Sequence, residues 1–126
     1  MLNFNSILIG SHDAEALAAF YEKFLGKPQM EDGGYYGWQV SSAFFSIGPH
    51  SEIKGKAKEP QRIIINFETK EVKKEFERIK KTGAKVVKNP YSIENSGTDF
   101  LIATFADPDG NYFQLMSPWE GDKSVN

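Results

Sequence analysis

Few side chains in this chain are suited to chemistry, and they are scattered. The 126 residues contain no cysteine and two histidines, so thiolate nucleophiles, disulfides and thiolate metal sites are excluded. His12 and His50 each fall in a loop just past the end of an apolar run. Imidazole is the commonest metal ligand, and the two would approach if their strands were neighbours; a lone loop histidine is otherwise a solvated one. Glu68, Tyr112 and His12 are the groups that could act as acid or base. Gln114 stands out by its setting in Phe105-Ala-Asp-Pro-Asp-Gly-Asn-Tyr-Phe-Gln-Leu115. Its amide both donates and accepts hydrogen bonds, and Asn66 is a second amide on the predicted cavity face. Buried amides are costly unless something bonds to them.

The elements that must position these groups can be read from spacing. Asp107, Pro108, Asp109 and Gly110 carry the chemistry of a tight turn: Asp accepts from backbone further on, Pro presets φ and Gly takes positive φ. The turn joins strands Phe100 to Phe105 and Tyr112 to Met116. Tyr35 to Val40 and Ala43 to Ile47 form an earlier hairpin by alternation and aromatic content. Leu17, Phe20, Tyr21 and Phe24 recur at helical spacing after Asp13 and stop at Gly26; Val72, Phe76 and Ile79 do the same and stop at Gly83. Apolar strands Phe4 to Ile9 and Ile63 to Phe67 precede the two helices. The order is βαβββ, twice. Residues 1–50 form the first module, the polar, proline-bounded residues 51–60 a linker, residues 61–119 the second module and 120–126 a tail. The charges of the second helix, from Lys73 to Lys81, fall off its apolar stripe and are its wet face.

The segment Asp13-Ala-Glu-Ala-Leu-Ala-Ala-Phe-Tyr-Glu-Lys-Phe-Leu-Gly26, with Asp13, Phe20, Tyr21, Leu25 and Gly26 in place, and the later Asp107 to Asn111 together resemble the vicinal oxygen chelate superfamily. That group contains lactoylglutathione lyase, the bleomycin-resistance proteins and the extradiol dioxygenases. The resemblance spans almost the whole chain and implies an α+β fold, two βαβββ modules whose curved mixed sheets surround a cavity. It does not by itself give a function, because one fold hosts many chemistries.

Each module buries one sheet face under its helix and leaves the other for the cavity, so alternation along the strands nominates the lining. If Ile7 and Ile9 face the helix, Phe4, Ser6 and Leu8 face the cavity; Phe45 and Ile47 leave Phe44 and Ser46. Ile63, Ile65 and Phe67 in the core leave Arg62, Ile64 and Asn66, and Phe113 and Leu115 leave Tyr112, Gln114 and Met116. Tyr36, Trp38 and Trp119 are further aromatic candidates. The expected ligand-binding set is Ser6, Trp38, Phe44, Ser46, Asn66, Tyr112 and Gln114: apolar walls with sparse hydrogen-bonding groups, as in small-molecule sites.

Metal-using members of the superfamily place His, Glu or Gln on the first and last strands of both modules. The resemblance maps those positions to Ser6, Ser46, Ile64 and Gln114. Only Gln114 is a plausible ligand, whereas catalytic metals normally have three protein ligands of the His or carboxylate type. The expectation is a site with no metal and no other cofactor. Two functions remain open: a metal-free binding protein similar to the bleomycin-resistance branch, taking a small apolar or aromatic molecule, and a lyase, isomerase or dioxygenase-type enzyme related to lactoylglutathione lyase. For the first, charge on the pocket is limited to Glu68 or Asp99. A homodimer follows from the resemblance. A net charge of −2 offers no footprint for nucleic acid, and no apolar run approaches a membrane span. The expected setting is the cytoplasm, with a small molecule as partner and neither nucleic acid nor membrane.

Overall fold

The computed structural model describes residues 1–92 and 100–118, which form two compact units, Met1–Ala57 and Lys58–Asn126. In the first, β1 (Ser6–Ser11), α1 (Ala14–Leu25), β2 (Met30–Asp32), β3 (Tyr35–Val40) and β4 (Ala43–Pro49) build a four-stranded sheet ordered β1-β4-β3-β2. In the second, β5 (Ile65–Glu68), α2 (Val72–Lys80), β6 (Lys85–Ser92), β7 (Leu101–Ala106) and β8 (Tyr112–Met116) build a sheet ordered β5-β8-β7-β6. The first strand of each unit runs parallel to its last and the other pairs are antiparallel. Each unit is a βαβββ module, and the fold is α+β with two mixed sheets.

The first helix starts where a carboxylate can cap it. Asp13 Oδ1 accepts from the Ala16 N–H at 3.1 Å, and buried Ser11 Oγ accepts from the Asp13 N–H at 3.0 Å, so donors that a helix start leaves unpaired are satisfied. The helix ends at Gly26, whose φ of 84° is one that side-chain-bearing residues avoid. The Gly26 N–H donates to the Glu22 carbonyl at 3.0 Å, while its own carbonyl accepts from Trp38 Nε1 at 2.7 Å. A strand residue thereby pins the helix end. Leu17, Phe20, Tyr21 and Phe24 form the buried stripe. The Tyr21 ring lies 4.9 Å from Phe45, and Phe45 5.8 Å from Trp38, within the range of favourable aromatic pairs.

The second core is a file of rings. Phe76 on α2 stacks on Phe105 at 5.1 Å, Phe105 on Phe113 at 5.4 Å, and Phe113 meets Phe67 edge-on at 6.0 Å. Val72, Phe76 and Ile79 are buried, while the lysines of α2 are exposed; Arg78 pairs with Glu75 at 2.6 Å on that outer face. The helix ends at Lys80, earlier than its sequence spacing suggests, and the chain turns through Thr82 to Gly83 at φ 94°.

Two expectations fail at strand starts, Ile63 as a core residue and Phe4 as the first residue of a strand. Ile63 is 72 % exposed because pairing of β5 begins only at Ile65. Phe4 is 85 % exposed and precedes β1. No helix among the described residues is long and apolar enough to cross a membrane.

Candidate functional site

Contact between Tyr21 and Phe45 fixes which face of the first sheet meets α1. Cross-strand partners share a face, so Trp38 opposite Phe45 and Tyr36 opposite Ile47 lie on the helix side. Two sequence expectations are corrected here. Trp38 is 1 % exposed and belongs to the core, its indole N–H committed to Gly26. Tyr36 is on the helix side rather than the cavity face, near the acidic start of α1; desolvation first, then Glu15, Glu31 and Asp13, pushes its hydroxyl pKa up.

The helix-free face of this sheet carries Ser6 and Leu8 from β1, Phe44 and Ser46 from β4, and Tyr35 and Gly37 from β3. Two rings lie down on glycines. A Cβ on Gly37 would collide with the Phe44 ring, and one on Gly48 with the Tyr35 ring, so each ring packs against bare backbone; Phe44 is half-buried and Tyr35 exposed. Ser46 Oγ donates to the Ile7 carbonyl at 3.0 Å, which ties the parallel strands together and commits its proton. Ser6 is exposed beside Phe44. Tyr35 was not among the candidates; its neighbour Tyr36 is equally aromatic, and only the register separates them.

In the second sheet the pairing aligns Asn66, Gln114, Thr104 and Lys88 in one row across all four strands. Gln114 Nε2 donates to Thr104 Oγ1 at 3.1 Å. Thr104 is 6 % exposed and sequence reasoning missed it; counting three residues back from Asp107 and three on from Asn111 across the hairpin would have found it. The next row holds Glu68, Met116, Ile102 and Tyr91, with Tyr112 opposite Ala106 on the far side. The Lys88 ammonium sits 5.3 Å from the Tyr91 ring centroid, a cation–π distance. The turn below is clamped by Asp107, whose carboxylate accepts from the Asp109 and Asn111 N–H groups at 2.9 Å and from Asn111 Nδ2 at 3.0 Å.

The first unit brings its two histidines to the ends of adjacent strands, since Ser11 pairs with Pro49 and the His50 N–H donates to the Ser11 carbonyl at 3.2 Å. His50 Nδ1 accepts from the Glu52 N–H at 3.2 Å. Among the described residues no three His, Cys, Asp or Glu side chains form a metal-binding group. The positions that the superfamily uses offer hydroxyls at Ser6 and Ser46, a hydrocarbon at Ile64 and a single neutral amide at Gln114. Such donors do not fit a catalytic divalent metal. Asp99 and Trp119 lie outside the described residues.

Residues 6–116 match the model of the glyoxalase-like domain. Similar solved structures include a glyoxalase/bleomycin resistance protein/dioxygenase family enzyme from Burkholderia phytofirmans, 22 % identical over 90 % of this chain and 96 % of that one, with a TM-score of 0.70. A glyoxalase-related enzyme from Fulvimarina pelagi is 17 % identical over 97 % and 95 %, at 0.73. A hypothetical protein from S. aureus is 21 % identical over 94 % of both chains, at 0.72. Among curated proteins no match is found. At these identities the structures speak for the fold. The matched domain and the paired βαβββ modules together make this chain a member of the glyoxalase-like domain family, within the vicinal oxygen chelate superfamily.

Proposed function

We propose that this protein binds a small apolar or aromatic molecule on the helix-free faces of its sheets, without a metal, in the manner of a binding protein. The observation that carries the reading is the first sheet's pair of rings laid over glycines, Phe44 on Gly37 and Tyr35 on Gly48. Partly exposed rings offer an aromatic contact surface, and sparse polar groups beside them, Ser6 and Ser46, can set orientation. In the second sheet Asn66, Gln114 and Tyr112 supply the same mixture. The reading extends to a homodimer in the cytoplasm.

Saturation-transfer NMR with phenol and indole tests it. Ser6→Val combined with Gln114→Ala is expected to weaken probe binding about tenfold, the worth of a lost polar contact or two, with the thermal midpoint little changed. Unfolding of the double variant would instead show these groups to be interior packing, and the binding reading would fall.

A second reading, an enzyme of the lyase or dioxygenase type, draws on the names of the Burkholderia and Fulvimarina neighbours, both called enzymes. Elemental analysis separates the two. Untagged protein exposed anaerobically to zinc, nickel, manganese and iron(II), then desalted, is expected to retain far less than one equivalent of any of them. Stoichiometric retention would move the conclusion to the enzyme and direct attention to Gln114, His12 and His50.

A further inference from the structure

We propose that the second sheet selects ligands bearing a single carboxylate, held by the Lys88 ammonium and the Gln114 amide; this rests on the binding reading above and narrows its ligand class to small apolar or aromatic acids.

The warrant is the row across that sheet. Strands lie about 4.8 Å apart, and Gln114 and Lys88 flank Thr104 on either side. Gln114 gives one amide proton to Thr104 Oγ1, and an amide nitrogen has two, so the second remains for a ligand. Thr104 is buried and acts as a positioning residue, fixing which way the amide points. Lys88 is three donors on a flexible stem, and the Tyr91 ring 5.3 Å away holds its charge over the sheet. A carboxylate satisfies both donors, and hydrogen bonds to a charged partner are the stronger kind.

Charge and shape narrow the ligand further. Lys85 precedes Lys88 on the same edge strand, opposite Ala106, while Glu68 occupies the opposite edge. Beside the polar row lie Met116 and Ile102, next to Tyr91, a strip on which a hydrocarbon or aromatic body can rest. The face is therefore positive at the β6 edge, uncharged in the middle and negative at the β5 edge. A monoanion with its acid group toward β6 fits that polarity; a cation in the same place does not.

The test compares phenylacetate with phenylacetamide, which share a shape and differ in charge, by 1H–15N NMR titration of the full chain at neutral pH. Phenylacetate is expected to bind about tenfold tighter than the amide, as one charge-assisted hydrogen bond provides, and to shift the Gln114 side-chain NH2 and the amides of Thr104 and Lys88. Lys88→Met is expected to abolish that preference, whereas Lys74→Met, on the outer face of α2, leaves it intact. Thr104→Val should weaken the acid and abolish the shift of the Gln114 side-chain NH2, because it frees the Gln114 side chain to rotate. Equal binding of acid and amide, or a preference that survives Lys88→Met, overturns the carboxylate inference while leaving the binding reading standing. If neither probe shifts a residue on either helix-free face, both fall.

Discussion

Trp38→Ala is expected to lower the free energy of unfolding by about 4 kcal/mol, a large part of what a domain this size possesses. The indole is buried at 1 % exposure between Phe45 and the end of α1, so its removal leaves a cavity that the surrounding rings can fill only in part. The change also strips the Gly26 carbonyl of its donor. Trp38→Phe separates the two contributions. It retains most of the packing and loses the N–H, and is expected to cost about 1 kcal/mol, the net worth of a hydrogen bond whose acceptor, on exposed Gly26, can turn to water. Urea denaturation followed by far-UV circular dichroism reads both, with the midpoint falling and the slope unchanged. Trp38→Phe, being on the helix side, should leave probe affinity per folded molecule as it was. A loss of affinity at full folding would return Trp38 to the ligand face and contradict the register of β3.

Asp107→Ala has the second largest expected effect, about 3 kcal/mol. The carboxylate accepts from two backbone N–H groups and from the Asn111 side chain within one turn, and hydrogen bonds to a charged group contribute about 1.5–3 kcal/mol each without adding fully. Alanine leaves those donors bare in a turn where Asp107 and Asp109 are both buried. Asp107→Asn retains one acceptor oxygen and should cost about half as much. Because the turn sets the register of β7 on β8, the loss should appear first as faster amide exchange at Thr104 and Gln114. Unaltered exchange there would mean that pairing of Phe105 with Phe113 alone fixes the hairpin.

The module order and the hairpin Tyr35–Val40 were legible because each rests on a local signal: helical spacing, a glycine stop, alternation, a turn with its own chemistry. Alternation also separates Phe45 and Ile47 from Phe44 and Ser46 without help from any other strand. It fails on β3. Tyr35, Tyr36 and Trp38 put aromatic side chains on both faces, so nothing in that strand says which side is the core; the register to β4 decides, and register is a non-local property. Thr104 was hidden for the opposite reason, in Leu-Ile-Ala-Thr-Phe-Ala, a run that reads as uniformly buried. Lys88 and Tyr91 come to one face only because β6 is irregular against β7, with a register shift between them and another between Val86 and Lys88. Ile63 shows the remaining limit: an apolar residue is legible, but the point at which a strand begins to pair is not.

Glycine at positions 37 and 48 makes the first sheet's aromatic surface adjustable. What stands beneath each ring is a hydrogen atom, and a single methyl there would lift the free end of Phe44 or Tyr35 away from the sheet. The ring is hinged at its own strand, so the adjustment leaves the backbone ladder in place. The height of that aromatic surface is thus set from below, by two residues that have no side chain of their own. In a family whose fold serves many molecules, such positions allow that surface to be reshaped by single substitutions while the side chains on it keep their chemistry.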